Sequence, residues 1–184
     1  PEEFKVDGQI TDESLKDYAR AWGKDSIDKY QYDGIDIDFE TAADHVGPLS
    51  GNLELFKKFC EELSQYIGPK SGTGRLFLID GNLESLDEGF SEFCNYGGAQ
   101  AYAVAGQNGD RQLDWKFQFM EEKGWNINQM IFTENFESYW KTGGIAYDAG
   151  EDGIIEWSLL GMANYADKRD AAGFGAYHME YEYG

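Results

Sequence analysis

The sequence has few basic residues, few cysteines and no long apolar run. Only 15 of its 184 residues are Lys or Arg, against 35 Asp or Glu, so the net charge is −20 and the pI is near 4.2. Such a chain would be repelled by nucleic acids and by anionic membrane surfaces, and neither is expected as a partner. No stretch of 18 or more apolar residues is present, so no membrane span is expected.

The two cysteines, Cys60 and Cys94, each lie within a helical pattern. We expect two buried free thiols, and a single disulfide is the alternative. The sequence begins at Pro1 rather than at a Met and shows no signal peptide. That absence is uninformative in a chain that begins in this way.

Apolar and aromatic residues are abundant. Hydrophobic residues make up 41% of the sequence and aromatic residues 16%, which suffices for a packed interior and excludes disorder. The 184 residues are enough for one domain with a sizeable core. Aromatic rings suit stacking on sugar faces and suit an aromatic core equally well, so composition leaves both uses open.

Five apolar segments are predicted to be strands, with helical patterns between them. The predicted strands are Tyr32–Phe39, Arg75–Asp80, Gly98–Ala105, Met130–Phe136 and Gly173–Tyr181. Thr11 and Asn52 are predicted to be N-caps of the first two helices. The later predicted helices are Leu86–Cys94, Leu113–Lys123 and Ile154–Tyr165. This alternation predicts an α/β fold with a parallel sheet.

Each predicted strand ends in a polar or aromatic residue: Glu40, Asp80, Tyr102, Glu134 and Glu180. Active sites of (β/α)8 TIM barrels lie at the carboxyl ends of the strands, so this is the fold class we predict. A doubly wound sheet would usually carry a Gly-rich phosphate turn after an early strand, and none is present. A barrel normally needs about 250 residues. We therefore predict a single barrel domain over residues 1–184 that supplies strands four to eight and the preceding helix, with the N-terminal strands absent.

The most informative segment is Asp33–Glu40, where acidic and apolar residues alternate. The acids are Asp36, Asp38 and Glu40, and the apolar residues are Ile35, Ile37 and Phe39. Side chains two apart share one face of a strand, so three carboxylates would repel one another on the same face. Such crowding raises the pKa of some carboxyl groups and lets a proton be shared, which favours chemistry over a structural role.

This segment has two alternative interpretations. A calcium loop would place its glycine after the acids, whereas Gly34 precedes them, so no metal is expected here. A solvated acidic face would carry charges on both sides of the segment. The apolar residues on the opposite side argue against it.

The segment resembles the fourth-strand signature of glycoside hydrolase family 18, Asp-Gly-x-Asp-x-Asp-x-Glu, and agrees at all five specified positions. The resemblance implies a (β/α)8 barrel that hydrolyses a glycoside with the substrate's own 2-acetamido group as nucleophile. It implies that Glu40 is the general acid and base and that Asp38 orients the acetamido group and stabilises the oxazolinium ion. Asp36 would support Asp38, and Asp33 would have a structural role.

The sixth strand separates branches of that family. Chitinases usually carry Met-x-Tyr-Asp there and a Trp near the last strand, whereas this chain has Gln100-Ala101-Tyr102 and no Trp in Gly173–Tyr181. Gln-x-Tyr resembles the endo-β-N-acetylglucosaminidases that cut the core of N-linked glycans. Tyr102 would hydrogen-bond the acetamido carbonyl and Gln100 would help to hold it. Two core polar residues that satisfy each other are the alternative.

Further residues at strand ends are predicted to bind sugar hydroxyls. They are Asp80, Asn82, Glu134 and Asn135, together with His45 in the loop after Glu40. Solvated strand ends are the alternative interpretation.

The sequence thus predicts an endo-β-N-acetylglucosaminidase that acts on N-glycans or glycoproteins without a cofactor. A chitinase of the same family and a catalytically inactive barrel that binds glycan or protein are the alternatives. The family resemblance implies a secreted, periplasmic or surface location, and we expect a monomer.

Overall fold

The computed structural model describes residues 10–41, 49, 51–102, 109–135, 146–148 and 155–177. The chain divides into two compact units between Asn95 and Tyr96. Whether residues 1–184 belong to a single domain stays a prediction. Within the described ranges, no helix has the length and apolar character that crossing a membrane requires.

In its described residues, the first unit holds two parallel strands and three helices. Its strands are β1, Gly34–Phe39, and β2, Leu76–Gly81, and they pair from Gly34 opposite Leu76 to Phe39 opposite Gly81. Its helices are α1, Asp12–Arg20, α2, Ile27–Tyr30, and α3, Leu53–Leu63, with a π-helical segment, Ala21–Ser26, between α1 and α2. Helices α1 and α3 pack against each other.

Side-chain caps begin α1 and α3, as the sequence predicts. The Thr11 hydroxyl accepts a hydrogen bond from the Ser14 amide at 3.1 Å, and the Ser14 hydroxyl accepts one from the Thr11 amide at 2.9 Å. The side-chain oxygen of Asn52 accepts a hydrogen bond from the Leu55 amide at 3.1 Å. Each cap satisfies backbone donors that lack a partner inside the helix.

Aromatic packing anchors β1 to the helical layer of the first unit. Phe39 is 1% exposed, and its ring stacks on Phe56 of α3 with centroids 4.9 Å apart. Phe56 stacks in turn on Phe90 at 5.4 Å. The apolar face of β1 is thus fixed in the core, which leaves the acidic residues on the other face.

The predicted helix Leu86–Cys94 is wrong. The structure has two short 3₁₀ turns in this region, Leu83–Ser85 and Phe90–Glu92. Gly89 separates them with a left-handed φ of +92°, which no residue inside a right-handed helix adopts.

Cys94 consequently lies outside any helix, whereas Cys60 lies in α3 as predicted. Both thiols are free and buried, which confirms the first of the two expectations. Burial raises the pKa of both cysteines above that of an exposed thiol.

The part of the second unit that the structure describes holds three parallel strands and two helices. Its strands are β3, Tyr96–Gln100, β4, Met130–Asn135, and β7, Gly173–Tyr177, with β4 paired to both of the others. Its helices are α4, Gly109–Glu122, and α5, Ser158–Lys168. An antiparallel pair is formed by β5, Ala146–Asp148, and β6, Ile155–Trp157. The five parallel strands with intervening helices confirm the predicted α/β class.

The predicted helix Ile154–Tyr165 is wrong in its first turn, because the chain forms β6 before α5 begins at Ser158. The segment Ile155–Trp157 contains β-branched and aromatic residues that favour strands, and β5 supplies a pairing partner. The pair β5–β6 was not foreseen from the sequence.

A polar cluster joins α4 to α5. Tyr165 is 1% exposed, and its hydroxyl donates a hydrogen bond to the Asp114 carboxylate at 2.8 Å. Arg169 pairs with the same carboxylate and lies over the Tyr165 ring, 3.9 Å from its centroid. The Tyr165 ring meets Phe132 of β4 edge to face at 5.3 Å, so the cluster holds the helices on the sheet of this unit.

Candidate active site

The acidic and apolar residues of β1 occupy opposite faces, as the alternation predicts. Asp36 and Asp38 are exposed, whereas Phe39 is buried in the aromatic core. Glu40 follows the strand directly and is half-buried. Local strand geometry therefore places the two aspartates on one face and carries Glu40 to the carboxyl end of the strand.

The neighbouring strand adds another carboxylate to the same face. Asp38 lies opposite Asp80 in the parallel register of β1 and β2, and Asp36 lies opposite Leu78. Partners in register share a face, so Asp80 stands beside Asp38 at the strand ends. This position fits the predicted role of Asp80 in sugar binding, which stays a prediction.

Asn82 holds the backbone around the end of β1. Its backbone N–H donates a hydrogen bond to the Phe39 carbonyl at 2.9 Å. Its side-chain oxygen accepts hydrogen bonds from the backbone N–H and the hydroxyl of Thr41, both at 3.4 Å. Glu40 lies between the two residues that are held. Asn82 therefore positions the segment that carries Glu40, and Thr41 is a partner that the sequence analysis missed.

The electrostatics of the acidic face centre on Asp36. Burial of its carboxyl group raises the pKa of Asp36, the negative charge of Asp38 raises it further, and a backbone hydrogen bond from Ile37 opposes the rise. The Asp36 side chain still has accessible surface. A raised pKa within the acidic segment is what carboxylate crowding predicts.

We expect Asp36→Asn to increase the thermal stability of the protein at neutral pH and to give a smaller increase in acid. Because the pKa of Asp36 is raised in the folded state, its ionisation costs stability as the pH rises through that pKa. Asn imitates the neutral carboxyl group and removes this cost. The melting temperatures of the variant and the natural protein, measured from pH 4 to pH 8, should diverge as the pH rises.

The exposed Asp87, outside the acidic face, offers Asp87→Asn as a control for the loss of one negative charge. A melting-temperature difference for Asp36→Asn that stayed constant across the pH range would contradict the raised pKa.

The strand ends of the second unit form two rows in register. Gln100 of β3 lies opposite Thr133 of β4, which lies opposite Gly175 of β7. The buried residues Ala99 and Ala101 alternate with Gln100. Thr133, which the sequence analysis missed, donates a hydrogen bond from its hydroxyl to the Ala99 carbonyl at 3.3 Å and ties β4 to β3.

The second row lies two residues further along the strands. Asn135 and Tyr177 are register partners, and the Tyr177 ring stacks on Tyr102 with centroids 6.0 Å apart and planes 24° apart. Tyr102 follows Gln100 by two residues and lies just beyond the end of β3. The predicted residues Gln100, Tyr102 and Asn135 thus gather at the carboxyl edge of this sheet, and Tyr177 joins them.

Glu134 lies on the other face of β4. It alternates with Thr133 and Asn135 and shares its face with Phe132, whose ring meets Tyr165 of α5. Its side chain is 1% exposed, and one carboxylate oxygen accepts a hydrogen bond from the Asn135 amide at 2.8 Å. The interpretation of Glu134 as a solvated strand end is therefore wrong. Its contact with sugar stays a prediction, and its geometry favours support of Asn135.

Two predicted positions, His45 and Glu180, lie outside the described residues. Within the part of the chain that the structure describes, no group of three or more His, Cys, Asp or Glu side chains could hold a metal ion.

Comparison with known proteins identifies the family to which a chain with this fold and these residues at its strand ends belongs. The model of glycoside hydrolase family 18, BT1044-like, matches residues 3–184. The chain belongs to glycoside hydrolase family 18, as its acidic motif predicts.

Individual relatives agree with this assignment. The chain is 32% identical over 171 residues to endo-β-N-acetylglucosaminidase F2 of Elizabethkingia meningoseptica, covering 82% of this chain and 48% of that protein. It is 28% identical to the solved structure of BT1044, with a TM-score of 0.76 over 99% of this chain and 57% of that one. The chain thus spans about half the length of these relatives.

A more distant structure shares the fold. An endo-β-N-acetylglucosaminidase from Cordyceps militaris, solved in apo form, matches 91% of this chain and 53% of its own with a TM-score of 0.64 at 20% identity. These likenesses and the parallel strands confirm the predicted fold class, part of a (β/α)8 barrel.

Proposed function

We propose that this protein is an endo-β-N-acetylglucosaminidase that hydrolyses the β-1,4 bond between the two core GlcNAc residues of N-linked glycans. The observation that carries the proposal is the set of carboxylates at the ends of β1 and β2, with Asp38 beside Asp80 and Glu40 directly after the strand. Family membership and the 32% identity to an enzyme of that name support it.

In the proposed first step, Glu40 donates a proton to the glycosidic oxygen, and the bond from that oxygen to the sugar C1 breaks. The carbonyl oxygen of the substrate's 2-acetamido group forms a new bond to C1 and yields an oxazolinium ion. The carboxylate of Asp38 accepts the acetamido N–H and stabilises the positive charge. In the second step Glu40, now ionised, removes a proton from water. The water oxygen attacks C1 and opens the oxazolinium ring, with overall retention of configuration.

Asp36 is proposed to hold a proton during this reaction. Because its pKa is raised, Asp36 takes up a proton more readily than an ordinary aspartate. A proton held on Asp36 lets its neighbour Asp38 carry the negative charge that the oxazolinium ion requires. This division of roles between adjacent carboxyl groups follows from their shared strand face.

The Gln-x-Tyr motif supplies the proposed neutral partners. Tyr102 would donate a hydrogen bond to the acetamido carbonyl oxygen as that oxygen attacks C1, and Gln100 would help to orient the group. Asp80 and Asn135 are proposed to bind sugar hydroxyls, since both lie at strand ends on the same faces as the motif residues. His45, Asn82 and Glu134 are retained as weaker candidates for that role.

The proposal is tested with two kinds of substrate, a glycoprotein and chitin oligomers, given to the full natural protein. We expect a glycoprotein with N-linked glycans to lose its glycan and to keep one GlcNAc on each asparagine, as mass spectrometry would detect. The first anomer formed should be β, as retention requires. Cleavage of chitin oligomers without cleavage of glycoproteins would indicate a chitinase instead. Binding of glycan without any turnover would indicate an inactive barrel.

We further propose that the protein works as a monomer outside the cytoplasm, either secreted, periplasmic or at the cell surface. A glycoprotein substrate supports this location. Fractionation of the producing cells and the mass of the purified protein in light scattering would test the two statements separately.

A further inference from the structure

Tyr177 is an exposed aromatic residue at the carboxyl end of β7 that the proposed chemistry does not yet use. Its side chain is 46% exposed although it stacks on another ring, that of Tyr102, at 6.0 Å and 24°. A tyrosine in such a position makes little apolar contact with the core. The simplest interpretation is therefore a surface ring with no role. Three features of the second unit argue for a role.

The first feature is the register. Tyr177 lies opposite Asn135, and both stand at the strand edge to which Gln100 and Tyr102 belong. The stack with Tyr102 is therefore built on hydrogen-bonded strands rather than on a loose surface contact. A ring held in this way restricts the tilt of its neighbour.

The second feature is the absence of other side chains on that face of β7. Gly173 and Gly175 alternate with Phe174 and Ala176 and share the face of Tyr177. A Cβ placed on Gly175 would come within 3.1 Å of the Thr133 methyl group. Beside Gln100 and Thr133, β7 therefore presents Gly175, which has no side chain. Beside Asn135, two residues further along, β7 presents the ring of Tyr177.

The third feature is the chemistry of Tyr102. Its proposed hydrogen bond to the acetamido carbonyl depends on the direction of the phenol O–H, and this direction follows the plane of the ring. Tyr102 lies just beyond the end of β3, and packing of its ring against Tyr177 restrains the ring plane.

We propose that Tyr177 is a positioning residue that sets the ring plane of Tyr102 and so aims its hydroxyl at the substrate's acetamido group. This inference rests on the proposed function. It predicts an effect on the chemical step, carried through Tyr102, with little effect on glycan binding. It also predicts that the ring of Tyr177 matters and its hydroxyl does not.

The test measures kcat and KM for glycan release in the full natural protein and in five variants. Tyr177→Ala should lower kcat about tenfold and change KM less than about twofold, since ring pairs of this kind are worth roughly that factor. Tyr177→Phe should restore kcat to within about twofold of the natural value. Phe174→Ala is the matched control, because Phe174 is 47% exposed on the opposite face of the same strand, and it should leave kcat unchanged.

The fourth variant is Tyr102→Phe alone, and the fifth combines Tyr102→Phe with Tyr177→Ala. If Tyr177 acts through the Tyr102 hydroxyl, the combined variant should be no slower than Tyr102→Phe alone. A further tenfold loss in the combined variant would overturn the inference, as would an unchanged kcat in Tyr177→Ala. An equal loss in Phe174→Ala would show a general effect on β7 and would also overturn it. Failure of the proposed function is distinguished by the natural protein, which would then release no glycan at all; the inference would fall with it.

Discussion

Glu40→Gln is expected to lower the rate of glycan release by a factor of about 10² to 10⁴ while leaving the fold intact, which is the usual range for loss of a general acid and base. Gln has the shape of Glu and still occupies the position directly after β1, but it neither donates a proton to the leaving oxygen nor removes one from water. Both proposed steps lose the same group. The half-buried position of Glu40 makes the substitution mild for folding.

The leaving group allows a sharper form of this experiment. In an aryl glycoside of N-acetylglucosamine with a weakly basic phenol, the phenolate leaves without help from an acid. Glu40→Gln should therefore lower the rate of the first step much less for this substrate than for a natural glycan. Glu61→Gln, at an exposed position of α3, serves as the control for the loss of a carboxylate. Equal activity of Glu40→Gln and the natural protein on glycoproteins would remove Glu40 from the mechanism.

The second large effect is expected from Gly81→Ala, which should destabilise the protein by more than about 4 kcal/mol, a loss that few single substitutions reach. Gly81 ends β2 with a φ of +112°, a conformation that residues with a Cβ rarely adopt. A Cβ there would also lie 2.2 Å from the carbonyl oxygen of Phe39 in β1. That carbonyl accepts the Asn82 amide, so it cannot move without breaking the contact that holds the end of β1.

Gly72 provides a matched control for the conformational part of this effect. It has a φ of +67°, and a Cβ there meets no atom within 4 Å. Gly72→Ala should therefore cost only the backbone strain, about 1 kcal/mol. Urea unfolding of both variants gives the comparison. A cost for Gly81→Ala no greater than that for Gly72→Ala would show that β1 and β2 separate more easily than their register indicates.

The local sequence pattern correctly predicted how the residues of the acidic motif are arranged on β1. The period of two residues places Asp36 and Asp38 on one face and Phe39 on the other whatever lies around the strand, because alternation is a property of extended backbone. The caps at Thr11 and Asn52 were equally predictable, since the donors they satisfy lie within three residues of them.

Predictions from apolar spacing failed where a backbone conformation or a pairing strand decided the outcome. Leu86–Cys94 has the apolar content of a helix, but Gly89 takes a left-handed conformation and the segment forms short turns. Ile155–Trp157 becomes a strand because β5 is available to pair with it. In both places the competing structure depends on contacts or backbone angles that apolar periodicity does not encode.

The sequence by itself determined the family motif and the parallel α/β class, and it supplied the residues proposed for catalysis, because these depend on residue type and on spacings of a few positions. Tertiary structure alone decided which groups support them. Asn82 reaches Thr41 from the next strand, Tyr177 reaches Tyr102 across β4, and burial raises the pKa of Asp36. Each of these depends on atoms that are distant in the chain and close only after folding, so no local pattern contains them.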